Sequence, residues 1–334
     1  MKIEKISWFG VEAVLMETDV YEAVVIPSVG ANLVRLYNKA LKVDILRTPT
    51  EAEMETFGTR PQIFGVPLLF PPNRIEDGKY SFGGKTYQYP ITIPAQNNYH
   101  HGIIKSEVFN ITRTRISPDA VEVEATYCSN CINNAIYTDF PHEFCCKIRF
   151  ILTDNELTHI ISFTNMGTDT MPLGVGYHTP IRLPFMENSS KADYKLRLSA
   201  GNRWELTDRS LPTGNLLELT EEEQQLRNEG MTVTGIPIEI ALTDKALIVN
   251  DRTYHGAILT NEAQNISVYY EVDKQFKHWT LWNNGGEVDY VCPEPQTWAI
   301  NAPNIALPAD ITGFQTLKAG ATWSGTTRFY VQKS

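Results

Sequence analysis

Four short clusters in the sequence gather side chains able to move protons and hold hydroxyl groups. The first is the apolar run Phe64-Gly65-Val66-Pro67-Leu68-Leu69-Phe70-Pro71-Pro72-Asn73-Arg74-Ile75, which ends in a guanidinium and is followed by the hairpin-turn signals Asp77-Gly78 and Gly83-Gly84. Arg74 reads as a ligand-positioning cation, with a structural ion pair or a surface charge as the alternative. The second, Asn97-Asn98-Tyr99-His100-His101-Gly102, sets two imidazoles that titrate near neutrality beside a glycine able to bring backbone close to a ligand. The third, Gly174-Val175-Gly176-Tyr177-His178-Thr179-Pro180, holds one histidine between glycines and a proline at the end of an apolar strand. The fourth, Val291-Cys292-Pro293-Glu294-Pro295-Gln296-Thr297, fixes a carboxyl between two prolines near apolar residues, the setting that raises its pKa; a surface-loop glutamate is the alternative. Trp279 and Trp282, with His278 and Asn283, offer either an aromatic wall or packed core.

Widely separated histidines plus one glutamate supply what chemistry on a cyclic sugar needs, an acid and a base on opposite sides of one ring. Aromatic planes suit the C–H faces of such a ring, while carboxylates, amides and imidazoles suit its hydroxyls.

The five cysteines allow a different reading. Cys128-x-x-Cys131, His142 and Cys145 are four ligands of zinc type. Against it, Cys145 and Cys146 run into the alternating stretch Lys147-Ile148-Arg149-Phe150, where small apolar cysteines pack well in a strand. An odd number of cysteines in a long chain that opens without a secretion signal makes a disulfide framework improbable.

The elements that must position these clusters are strands. Val121-Glu122-Val123-Glu124-Ala125 and Ile266 to Val272 alternate apolar with polar residues and predict half-buried strands, as do Val11 to Glu17, Ala23 to Pro27, Glu156 to Asn165 and Thr327 to Gln332. Two capping-box patterns, Thr50-x-x-Glu53 and Thr220-x-x-Glu223, predict short helices as decorations on a β body. With no Gly/Ser or Pro-rich linker, no charge block and no repeat, residues 1–334 read as one domain. Many short strands bury their apolar faces by stacking sheets, so the expected fold is all-β, a large antiparallel sandwich. A formal charge of −10 without a basic stripe argues against nucleic acid as partner. No apolar run long enough to span a bilayer and no signal-like opening point to a cytoplasmic, non-membrane protein.

Gly65-Val66-Pro67-Leu68-Leu69-Phe70-Pro71, His101-Gly102, Gly176-Tyr177-His178-Thr179-Pro180 and Glu294-Pro295 stand in an order and approximate spacing that resembles the aldose 1-epimerase (galactose mutarotase) family, over roughly residues 60 to 305. The resemblance implies a β-supersandwich and an isomerase that interconverts the α and β anomers of an aldose. Its partner is a small-molecule sugar, it needs no metal or organic cofactor, and it is a monomer or homodimer. Residue by residue, it implies His178 as general acid, Glu294 as general base, and His101 and Arg74 as substrate-positioning groups. Asp244 in Leu242-Thr243-Asp244-Lys245 stands for the family's sugar-binding carboxylate, with Asp251 competing for that place, and Trp282 joins the substrate-binding set. Gly-Tyr-His-Thr-Pro replaces the Asn-His-type motif of the better-studied galactose mutarotases and His100 is extra, which is similar to a divergent branch whose members need not prefer galactose.

In this chemistry the anomeric hydroxyl loses a proton while the ring oxygen gains one, the C1–O5 bond opens, the C1–C2 bond rotates and the ring recloses. It expects Glu294 ionised and His178 protonated. The alternatives are a non-catalytic carbohydrate-binding protein, a hexose-phosphate mutarotase using Lys79, Lys85 or Lys105 for the phosphate, and a glycoside hydrolase, which needs a second carboxylate.

Overall fold

The period-two runs become strands, and their alternation sets which face is covered. In the computed structural model, which describes every residue except Cys131, Asn133, Asn134 and Ser334, the strands Val121–Ser129, Phe144–Leu152 and Leu157–Asn165 bury every second side chain. They lie side by side in a nine-stranded antiparallel sheet that continues through Thr322–Lys333, Ile266–Val272, Gly256–Asn261 and Tyr194–Leu198. A five-stranded antiparallel sheet forms from residues 2–44.

The strands that carry the chemistry-bearing clusters are β1 (Leu68–Leu69), β2 (Arg74–Glu76), β3 (Asn98–His100), β4 (Gly176–Tyr177), β5 (Glu239–Asp244), β6 (His278–Trp282) and β7 (Tyr290–Gln296). An eight-stranded sheet takes the order β5, β6, β7, β4, β1, extended beyond β5 by Ala200–Leu206 and Pro212–Leu217, with Ile181–Arg182 also pairing β7, and β2 pairs β3 beside it. One apolar cluster runs from Val14 to Phe329 through these sheets. Within it Tyr270 of the nine-stranded sheet meets Trp279 of β6 edge-on, ring centroids 6.5 Å apart, so Trp279 is core and not part of a sugar-facing wall.

Ile266–Val272 departs from expectation: it is buried on both faces. The hairpin Leu247–Val249/Arg252–Tyr254 lies over it, and Tyr254, Tyr269 and Tyr330 form a second apolar cluster there. Both capping boxes form. Thr50 N donates to Glu53 Oε2 at 3.1 Å, and Thr220 and Glu223 exchange backbone-to-side-chain bonds of 2.9 and 3.2 Å at the start of Glu221–Gln224. Gly83-Gly84, both at positive φ, make the two-residue turn of the hairpin Lys79–Phe82/Lys85–Gln88. Asp77-Gly78 also turns the chain, but β2, which runs into that turn, pairs with β3 rather than with the strand that follows.

The cysteines correct two expectations. Cys128 and Cys145 face each other across adjacent strands and are joined by a disulfide, where the odd cysteine count made a disulfide framework improbable. It also takes two sulfurs from the zinc-type set; His142 Nε2 is 2.7 Å from the Tyr87 hydroxyl, and Cys131 lies outside the described residues. Cys146 packs as read, fully buried in its strand. The disulfide closes a short loop, a sequence separation of 17. Cross-linking a loop of that length restricts the unfolded chain by about 3 kcal/mol. Reduction, or Cys128→Ser with Cys145→Ser, is expected to lower the denaturant midpoint accordingly; equal midpoints with and without reductant would refute it. No helix among the described residues is long and apolar enough to cross a membrane.

Candidate active site

β5, β6 and β7 are neighbours in register, with Glu239 opposite Trp282, and Thr280 opposite Glu294. Because side chains alternate across a sheet, these four residues share one face. That face floors a cavity of about 200 Å³, below the usual range for drug-sized ligands and suited to a single sugar ring. His178, immediately after β4, and Arg74, at the start of β2, line it too. His101 completes this set, held with φ at 61° by a backbone bond from its N–H to Asn73 O.

Gly102 fixes where His101 stands. Its φ is 69°, and a Cβ there would lie 2.9 Å from Phe70 N and 3.1 Å from Leu69 Cα, so only glycine lets this loop close onto β1. The close approach is therefore to another strand, and not to a ligand as the sequence reading had it.

The structure thus brings His178, Glu294, Arg74, His101 and Trp282 around one cavity and leaves Asp244 outside it. Asp244 lies five positions after Glu239 on the same strand, an odd offset, which turns it to the other face. There its carboxylate takes bonds from Ser199 Oγ at 2.5 Å and Trp279 Nε1 at 3.0 Å and sits 2.5 Å from His255 Nδ1. Asp251, the competing aspartate, sits at positive φ in the exposed turn before Arg252–Tyr254. The carboxylate that does reach the cavity beside Glu294 is Glu239.

Glu239 grips Arg74 in a bidentate pair of 2.5 and 2.9 Å, and Arg74 also donates to Asn73 Oδ1 and Gln96 Oε1. Arg74 is therefore both an ion-pair partner and a cavity residue. Thr280 Oγ1 accepts from Asn73 Nδ2 and Gln296 Nε2, each at 3.0 Å, which locks the floor. The lysines considered for a phosphate are elsewhere: Lys85 pairs with Asp169, Lys105 donates to the Gly102 carbonyl, and neither they nor Lys79 line the cavity.

His178 Nε2 stands 3.2 Å from Glu294 Oε1, side by side and not on opposite sides of a ring as expected, and the two side chains are almost wholly buried. Glu294 is in the middle of a strand whose residues are all buried, which disposes of the surface-loop alternative. Burial strips water from either charge, so the two shift in opposite senses. Burial lowers His178 to about 4, aided by repulsion from Arg60, while burial and then the charge of Glu239 raise Glu294 well above the ordinary carboxylate range, against the pull of Arg74. His100 and His101 are likewise pushed down by burial. Burial therefore favours the neutral form of both His178 and Glu294, the reverse of the expected charges.

The family model for aldose 1-epimerase matches residues 12–330. The chain belongs to the aldose 1-epimerase family. Among solved structures similar to it, a galactose mutarotase-like protein from Clostridium acetobutylicum is 36% identical with a TM-score of 0.97, the match covering 100% of this chain and 99% of that one. A galactose 1-epimerase from Lactobacillus acidophilus NCFM shares the fold at 14% identity and TM-score 0.73, covering 100% and 99% of the two chains. A galactose mutarotase-like protein from Lactobacillus casei ATCC 334 does so at 19% identity and TM-score 0.68, covering 96% and 100%.

In this aldose 1-epimerase family member, sequence reasoning missed Glu239, Asn73, Thr280, Arg60 and Tyr290 as cavity residues. Only Glu239 carried a signal: in Ile236-Pro237-Ile238-Glu239-Ile240 it interrupts an apolar strand start. Thr280 and Tyr290 are ordinary residue types brought in by strand pairing, and Arg60 and Asn73 by the segments that lead into the cavity.

Proposed function

We propose that the protein is a mutarotase, interconverting the anomers of an aldose by acid/base ring opening and reclosure. The observation that carries this reading is the contact of 3.2 Å between the buried His178 imidazole and Glu294 carboxyl on the wall of a cavity sized for one sugar ring. Between them the pair holds one dissociable proton, and it titrates as a unit. Sugar binding moves that proton from Glu294 to His178. Glu294 then takes the anomeric proton while His178 protonates the ring oxygen, and reclosure reverses both transfers. Arg74, with its charge balanced by Glu239, and His101 orient hydroxyls, and Trp282 covers the ring's C–H face.

The test is proton NMR or polarimetry of freshly dissolved α-glucose and α-galactose with the protein against the spontaneous rate. Faster equilibration is expected; none with either sugar favours the carbohydrate-binding alternative. The hydrolase alternative is disfavoured because Glu239 is engaged by Arg74 and is no free nucleophile.

A pH profile follows from the two shifts. The working pair needs a proton on one member only. His178, lowered to about 4, is neutral above that value and charges as pH falls through it; Glu294, raised, keeps its proton to well above the ordinary carboxylate range. kcat/KM is expected to be bell-shaped, with an acid limb near 4 where the pair takes up a second proton and an alkaline limb, above the ordinary carboxylate range, where it loses its only one. A flat profile across that span would exclude the pair as the acid and base.

A second reading, an aldose bearing an anionic group, draws on Arg60. This exposed guanidinium stands at the cavity and has no ion-pair partner among the described residues. Glucuronate or glucose 6-phosphate would then equilibrate faster than glucose, with the advantage lost in Arg60→Ala; equal rates would remove the reading.

A further inference from the structure

We propose that the cavity is also a metal site, in which His101, His178 and Glu294 chelate a divalent first-row cation of the zinc type. As an inhibitor of sugar turnover the cation rests on the mutarotase reading; as a ligand of these three residues it does not. One ligand atom from each residue lies within 4.8 Å of the other two, and this is the only such group of three or more among the described residues. His101 and His178 are each 6% exposed and Glu294 is 2% exposed. His101 Nδ1 and Glu294 Oε2 are buried without a hydrogen-bond partner, although buried polar atoms are normally satisfied.

Geometry and donor chemistry agree. Metal–ligand bonds of about 2.0–2.1 Å in a tetrahedral arrangement put neighbouring ligand atoms about 3.4 Å apart. His178 Nε2 and Glu294 Oε1 already stand at 3.2 Å. The rings of His101 and His178 meet edge to face with centroids 5.1 Å apart, so a modest inward turn of His101 brings the third ligand into range. Two imidazoles and one carboxylate favour zinc, cobalt, nickel or copper over magnesium or calcium, whose preferred ligands are all oxygen, and they leave at least one position open. The local charge is compatible: Arg74 is neutralised by Glu239, and Arg60 at the exposed rim and Lys105 beside the His101 loop are the cations that oppose binding. A bound cation would occupy the atoms needed for proton transfer, so it acts on the chemistry as an inhibitor and not as a cofactor.

The experiment uses chelator-treated, tag-free protein titrated with Co2+, read by visible absorption and by equilibrium dialysis, and repeated with Zn2+. The expected result is one equivalent bound with the absorption of a four- or five-coordinate nitrogen/oxygen site. His101→Ala, His178→Ala and Glu294→Gln should each weaken binding at least about 10–100-fold, as loss of metal-site support does. In an active preparation Zn2+ should abolish mutarotation and a chelator should restore it. Binding that the variants abolish, in a protein that turns over no sugar, supports the metal site while refuting the mutarotase reading. Absence of stoichiometric binding, or binding unchanged in all three variants, overturns the proposal.

Discussion

Glu294→Gln is expected to lower kcat by about 10²–10⁴-fold, the usual contribution of a positioned acid or base, and His178→Ala to do the same. Gln preserves the shape of a carboxyl whose neutral form is favoured by burial, so the variant should fold and bind sugar with little change in KM. His178→Ala also leaves a void, and near-UV circular dichroism will show whether its fold is kept. Because the two groups share a proton, the double variant should be barely slower than either single one, as residues acting as a unit show. The measurement is the rate of anomer exchange at equilibrium by NMR. Wild-type turnover in either single variant would refute the assignment.

Arg74→Ala has the other large effect, and it falls on both stability and function. The Arg74 side chain is 9% exposed and that of Glu239 18%, so truncating Arg74 leaves a largely buried carboxylate without its partner. Breaking such a pair from one side costs about 3–5 kcal/mol. Asn73 Oδ1 and Gln96 Oε1 lose a donor as well. Adding Glu239→Gln removes the stranded charge and should recover most of the stability, while kcat/KM stays low because the sugar's positioning cation is gone. Chemical denaturation with a parallel rate measurement separates the two losses. If the double variant were as unstable as Arg74→Ala alone, the ion pair would not be the source of the effect.

Much of the fold is legible in the residues one after another. Val121–Ser129 and Leu157–Asn165 announce themselves by alternation because each has one face on the core, and Thr220-x-x-Glu223 announces a helix because its partners are three residues apart. Ile266–Val272 hides its second covered face because the hairpin over it comes from elsewhere in the chain. The disulfide was equally hidden, since it depends on Cys128 and Cys145 falling opposite in register.

The cavity divides along the same line. His178 and Glu294 stand in short motifs whose glycines and prolines constrain the chain locally, so residue type and neighbours were enough to single them out, and with His101, Arg74 and Trp282 they converge. Which carboxylate joined them was not readable. Asp244 and Glu239 lie on one strand, and the choice between them rests on the face that strand turns to its neighbours, set by pairing with Trp282 and Thr280 of β6. Nor was the charge state readable, because desolvation belongs to the assembled wall of side chains and not to the motif. By itself the sequence determined the strand pattern, the chemical types available and the family; tertiary structure alone decided which acid faces the cavity, that Arg74 is already paired, and which ionisable groups are stripped of water. Strand register and burial are long-range properties, and no local spacing encodes them.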